Sequence, residues 1–450
     1  MSHTSLPATW RSVLPHLDEP LPPDESPESP AGGSDGGVSV NLPFALVRQS
    51  TQNREFWEIP AEVLDAYRSF RPTPLWRARR YEEAIGARVP IYVKYEGGNI
   101  SGSHKLNTAL AQAYYYAKAG VKELVTGTGA GQWGTALAAA CSIFGLRCRV
   151  FMVGTSLQKK PYRGTLMRTL GATVHASPSN LTEVAARTGG GVNSLALAIG
   201  EAVEYAGRTE GAAFCIGSGE TYSILHQSVI GLETIDQLAE LEATVDSVVG
   251  CVGAGSNFGG IALPFFADAA TTGAECPRLV AAESSTTPKL TRGVYAYDKT
   301  DATGVSPMEA MYTIGSSYPI PDSHSAGLRF HGAAKVISAM RHRDQVTAQA
   351  VGQVEALEAG QTFTRAEMVL PAPESGHALA VAARLATGGG SSRGVVACVS
   401  GHGYLDLAAY QQLADGELTS DPPEEQALTT AMDRLRPVAE LATTGSRHAF

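Results

Sequence analysis

No CxxC pair occurs among the six cysteines (Cys141, Cys148, Cys215, Cys251, Cys276, Cys398), so neither a thiolate zinc site nor a disulfide framework is indicated, and reduced thiols are expected. Dense Lys/Arg runs are missing as well. With 35 basic against 44 acidic residues the formal charge is −9, which argues against nucleic acid as a partner because no phosphate footprint is offered. The longest run of small apolar residues, Ala136 to Cys141, is far too short to span a bilayer. The first residues hold no apolar stretch of signal-peptide length, so a soluble, cytoplasmic protein that does not engage a membrane is expected. There is no GxxxxGK[ST], which removes support for a P-loop nucleotide triphosphatase, and no fixed-period repeat, which disfavours solenoids and propellers. What is present, 44% apolar and 18% charged residues over 450 positions, suits one large globular domain or two to three ordinary ones. Small-molecule chemistry is the expected class.

Residues 18–37 carry five prolines, several acids and the cluster SPAGGSDGG, a composition unable to bury enough apolar surface to order itself. Residues 1–40 are therefore read as a disordered or extended arm. The end of the chain, 413–450, reads as a polar tail in which EEQALTTAMDRLRPVAEL can form one peripheral helix. Between them, short β-branched runs alternate with Ala/Leu-rich stretches that end in glycine, the pattern of a parallel sheet wrapped by helices. The strands IYVKY, CRVFMV, SVVGCVG and GVVACVS and the helices closed by Gly120 and Gly145 carry this pattern. In such sheets ligands bind beyond the carboxyl ends of the strands.

Four constellations lie in those loops. In SGSHKLNTA (101–109) a Gly/Ser loop enters a helix, with Ser103 as N-cap and Lys105 in the first turn, where the helix dipole disfavours the ammonium. A lysine whose neutral form is favoured suits Schiff-base chemistry; an exposed surface lysine is the ordinary alternative. TGTGAGQWG (126–134) offers converging amides to a carboxylate or phosphate, and its three glycines with Gln132 and Trp133 exceed what a turn requires. GCVGAGSN (250–257) offers a phosphate cradle, though alone it could equally be a tight turn. VVACVSGHG (395–403) puts Ser400 at a strand end, where a neutral hydroxyl can bond a ring nitrogen or merely start a turn.

Lysine, carboxylate loop, phosphate loop and terminal serine follow one another in this order in pyridoxal-phosphate enzymes of the tryptophan synthase β-chain family. Residues 71–412 resemble its second-type branch through RPTPL, YVKYEG, GSHKLNTA, TGTGAGQWG, KKPYR, GCVGAGSNFGG, LTRGVYAYD, GLRFHG, PAPESGHAL and SGHG. The resemblance implies an α/β protein of fold type II, with two three-layer α/β domains and pyridoxal 5'-phosphate between them. It implies an N-terminal domain from 41–71 and 104–225, including a mobile segment 120–207, and a C-terminal domain from 72–103 and 226–412. It gives Lys105 the role of the Schiff-base lysine and His104 that of a phosphate-side neighbour. Asn107 is grouped with the cofactor residues, and Gly253, Ala254, Gly255, Ser256 and Asn257 form the phosphate cup. Ala254 stands where another glycine is usual, which is tolerable if its φ is negative. Thr128, Gly129, Ala130, Gly131, Gln132 and Trp133 are assigned to the substrate, Ser400 to the pyridine nitrogen and Glu374 to the face of the ring. A serine partner leaves the pyridine largely unprotonated, which favours β-elimination over transamination. The implied activity is β-substitution on L-serine or an activated serine via an aminoacrylate, by an enzyme acting on amino-acid and small-nucleophile substrates. A homodimer is implied, and many members use a monovalent cation (Na+ or K+). Partnership with an α-type subunit is doubtful, because the second-type branch differs in its N-terminal and surface segments.

One departure matters. Where the family's carboxylate loop begins with a glutamate that acts as acid and base, this chain has Gly127. Thr126 and Thr128 are poor substitutes. Losing a positioned acid/base costs about 10²–10⁴-fold in rate. Three readings follow. A β-substituting enzyme retuned for another nucleophile (a phenol, a substituted or reoriented indole, a heteroatom) would use the space opened at 127. Ordinary tryptophan synthesis would need rescue by an acid such as Glu220, and a degenerate protein would bind the cofactor as a scaffold. In IGSSYP, Ser317 stands where an acid often helps to latch the mobile domain, so a weakened latch is expected. His226, His331 and His402 are spaced too irregularly for a metal site, and none is proposed. Of Tyr114–Tyr116, part is expected to pack and part to face outward.

Overall fold

A computed structural model describes residues 5–25, 42–187, 194–300, 307–419 and 423–438. Two parallel sheets organise it. The larger runs Val346–Val351, Arg278–Ser284, Ser247–Cys251, Val395–Val399, Ile91–Tyr95 and Leu75–Arg77, parallel throughout except for the short Leu75–Arg77 edge. The smaller runs Thr173–Ser177, Arg147–Val153, Glu123–Thr128 and Ala212–Phe214, all parallel. Central strands such as Ser247–Cys251 and Val395–Val399 are buried along their whole length, as β-branched runs covered on both faces must be. The expected helices close as read: Lys105–Lys118 just before Gly120, and Gln132–Phe144 at Gly145, whose left-handed φ of 68° ends the helix.

Over its described part the arm is extended and packed against the body of the fold. Thr9–Arg11 pairs antiparallel with Phe56–Glu58, and Trp10 is fully buried against His226, with ring centroids 4.5 Å apart. A composition poor in apolar residues between 18 and 37 said nothing about the tryptophan upstream. Residues 26–41 lie outside the described part. In the tail, the peripheral helix forms over Glu425–Met432, and Arg436–Pro437 pairs with Val294–Asp298. Tyr116 is the buried member of the tyrosine run, its hydroxyl donating to Phe214 O at 2.8 Å. No helix among the described residues is long and apolar enough to cross a membrane.

Candidate active site

Four of the loops singled out in the sequence meet in one cleft between the two sheets. Lys105 opens the helix Lys105–Lys118, with His104 rather than Ser103 at the cap position. Ser103 Oγ reaches only to Lys105 N, at 3.4 Å. Burial lowers the Lys105 pKa, with Cys251 and Glu374 opposing. The neutral amine is thereby favoured, as a nucleophilic lysine requires. His104 is also buried, and burial followed by the neighbouring lysine pulls it down to about 3, so it is neutral. Its Nε2 lies 3.1 Å from Ser256 Oγ.

Ser256 begins the helix Ser256–Thr272, and Gly255 precedes it at φ 129°, a conformation closed to other residues. Amides at this helix start form an anion seat. Ala254 is not among the residues with positive φ, so its methyl is accommodated. Across the cleft, Ser400 Oγ stands 2.9 Å from Ser375 Oγ and 3.5 Å from Cys251 Sγ. Glu374 is buried; its Oε1 accepts from Gln132 Nε2 at 2.9 Å and from Gly327 N at 2.8 Å. Its Oε2 is buried with no partner among the described residues, an orphan of the kind that a bound polar group satisfies.

Lys105, His104, Gly253, Ala254, Gly255, Ser256, Asn257, Gln132, Glu374 and Ser400 all line this cleft. Gly129 lines a neighbouring, larger cavity (about 1210 Å³ against about 560 Å³) walled by Val153, Leu195, Ile199, Tyr318 and Phe330. Thr128, Ala130 and Gly131 form the turn between the two, with Gly131 N donating to Thr128 Oγ1 at 3.2 Å. Two assigned residues turn elsewhere. Asn107 bonds Arg71, Glu96 and Gln227 in a buried polar network under the helix. Trp133 donates through Nε1 to Thr126 Oγ1 at 2.8 Å and packs on Gly217, behind the loop rather than in the cleft.

Position 127 corrects an expectation. A Cβ there would lie 2.5 Å from Ile199 N and 2.6 Å from the Ala198 carbonyl, so the missing side chain leaves no space. The backbone of the helix Leu195–Arg208 occupies that place. Glu220 does not reach the cleft either. Burial raises its pKa, and its charged neighbours include Lys335, Asp24 and Glu309. Glu374 is the only carboxylate lining the cleft among the described residues.

Ser317, where a weakened latch is expected, is exposed, and ion pairs join the segment around 160 to other parts of the chain. Lys160 and Arg163 both pair with the buried Asp406, at 2.5 and 2.7 Å, and Lys159 pairs with Asp322 at 2.5 Å. Burial pushes Asp406 up, but the two cations hold it below its usual value. Arg163, Cys251, Ser375 and His402 had no role assigned from sequence, although each lay inside a matched stretch. His226 is a satisfied core histidine between Thr108 and Gln49. His331 bonds Lys299 O.

Comparison with known proteins agrees with this arrangement. Residues 67–401 match the family described as pyridoxal-phosphate dependent enzyme. Tryptophan synthase beta chain 2 of Thermococcus kodakarensis is 42% identical over 429 residues, 94% of this chain and 97% of its own. The chain of the same name from Methanothermobacter thermautotrophicus is 42% identical over 431 residues, 93% and 99%. Among solved structures, processed threonine deaminase isoform 2 of Solanum lycopersicum superposes with a TM-score of 0.60 at 16% identity, over 89% of this chain and 98% of that one. A fungal L-serine ammonia-lyase from Rhizomucor miehei gives 0.57 at 16%, over 77% and 98%. At those identities the structures speak for the fold alone, which is fold type II. The chain belongs to the second-type branch of the tryptophan synthase β-chain family of pyridoxal-phosphate-dependent enzymes.

Proposed function

We propose that this enzyme performs β-substitution on L-serine or an activated serine and joins it to an acceptor other than plain indole, giving a tryptophan-like amino acid. One observation carries the retuning: helix backbone fills the place of a side chain at Gly127, and the larger cavity, which the same helix walls with Leu195 and Ile199, has no carboxylate in its lining among the described residues. Acceptors that need no protein base at their N–H are favoured by such a wall. The larger cavity, mostly apolar with Tyr318 and Phe330, suits a flat aromatic acceptor.

Bound pyridoxal phosphate supplies an electron sink for the carbanion at the α carbon of the amino acid. The chain's own residues do the rest. Lys105, favoured in its neutral form, serves as nucleophile and then as the base that takes the α proton. The Gly253–Asn257 turn with neutral His104 and Ser256 holds the phosphate. Ser400 offers the ring nitrogen a hydroxyl without protonating it, and the loop 128–132 orients the substrate carboxylate. The pairing of Lys160 and Arg163 with Asp406 holds the cleft shut against water.

The experiment supplies purified enzyme and cofactor with L-serine, O-acetylserine or O-phosphoserine, each against indole, phenols and thiols, and identifies products by mass spectrometry. A non-indole adduct dominating at equal acceptor concentration is expected. Tryptophan as the main product would establish ordinary synthesis, with Glu374 as the acid at hand. Absence of any adduct while the cofactor binds would establish a scaffold.

A further inference from the structure

The cleft contains a buried cation whose guanidinium is only half used. Arg163 lies in the helix Pro161–Thr169 and is 2% exposed. It lines the cleft beside Gln132 and His402. Its Nη2 donates to Asp406 Oδ2 at 2.7 Å. Its Nε–H is buried and has no hydrogen-bond partner among the described residues. The stem lies against the carboxylate loop, because a Cβ on Gly131 would stand 3.2 Å from Arg163 Cδ. Asp406 already accepts from Lys160 Nζ at 2.5 Å, so two cations share one carboxylate. An anion arriving at the Gly131 edge meets uncompensated positive charge and an unmade donor in a place shielded from water, where both count for more.

We infer that Arg163 is a specificity-determining residue that donates from Nε to the α-carboxylate of the amino-acid donor, alongside the amides of loop 128–132. The inference rests on the β-substitution reading, because it takes an amino acid as the ligand. A guanidinium serves here where an ammonium cannot. Nη2 stays on Asp406 while Nε, bonded to the Cδ that lies by Gly131, keeps an unused N–H on the stem; a lysine would satisfy Asp406 and have no such second donor. That difference separates recognition from a strut.

The test is equilibrium titration of the cofactor-loaded enzyme, followed by the change in its visible absorbance, with L-serine and with L-serinamide, which lacks the carboxylate. Wild type, Arg163→Met and Arg163→Lys are compared, and cofactor affinity is measured separately. Loss of a charge-assisted hydrogen bond predicts that L-serine binds roughly tenfold to a hundredfold more weakly to both variants, while serinamide changes by less than about twofold and cofactor affinity holds. Equal weakening for both ligands, no weakening, or full recovery in Arg163→Lys would overturn the inference. If Arg163→Met fails to load cofactor, Arg163→Lys decides alone: selective loss for serine supports recognition, wild-type behaviour refutes it. A wild type that responds to neither ligand, nor to O-acetylserine or O-phosphoserine, would bring down the β-substitution reading itself, and the inference with it.

Discussion

At the scale of single residues, what a side chain lacks is as informative as what it carries. Gly127 sits in the buried strand Glu123–Thr128 with the Ala198–Ile199 peptide closer than any Cβ permits. Gly127→Ala should therefore destabilise the fold by about 1–3 kcal/mol through overpacking. Urea unfolding reads this as a lowered midpoint at unchanged slope. Gly127→Glu should behave worse, not as a restored acid, because a carboxylate would have to displace the helix before it could reach any substrate. Lys105→Ala makes the opposite case. Removing a buried amine at a helix start leaves packing nearly intact, so the variant should fold yet lose the visible absorbance of covalently held cofactor. Lys105 was legible only through the order of the four motifs, because a lysine after a Gly/Ser loop at a helix start is ordinarily a surface residue; the structure places it in the cleft. The closure at Gly127 was not, since it depends on a helix some seventy residues away whose approach no neighbour of Gly127 encodes. Asn107 and Trp133 show that membership of a matched stretch does not fix side-chain direction: their side chains bond Arg71 and Thr126.

Among elements, strands and helix ends were readable from periodicity and terminal glycines, whereas the fastening between segments was not. Lys160 and Arg163 meet Asp406 across more than 240 positions, a separation that erases any local signal. This clamp should withstand acid further than an ordinary carboxylate pair. Asp406 has a folded pKa depressed below its unfolded value, so its contribution is fully present above the unfolded value and fades only as pH falls through the lower, folded one. Stability and cleft closure should accordingly be flat through the weakly acidic range as far as this group is concerned. Asp406→Asn leaves two buried cations without a counter-charge and should cost about 3–5 kcal/mol, as breaking a buried pair does. The Lys159–Asp322 pair is mostly exposed, so Lys159→Met should be nearly silent in a thermal melt that reads the loss in Asp406→Asn.

For the whole molecule, the N-terminal strand shows how a segment outside the catalytic motifs joins the two ends of the fold. Arg11 donates from its amide to Ser228 Oγ at 2.9 Å, and its guanidinium reaches Glu55, Asp268 and Thr271. Asp268 and Thr271 belong to the last turns of the helix whose first residue, Ser256, is proposed to form the phosphate seat. At a rise of 1.5 Å per residue, the twelve residues from Ser256 to Asp268 put about 18 Å between that fastening and the seat. The strand thus braces the far end of the helix without shaping the near one. Trp10→Ala removes a fully buried ring and should cost about 3–5 kcal/mol. Cofactor binding adds stability that depends only on its concentration and affinity. The melting temperatures of the apo and cofactor-loaded variant should therefore fall together, leaving the gap between them as in wild type. A narrowed gap would mean that the brace reaches the phosphate seat after all, and that the helix transmits strain along its length rather than merely standing on the strand.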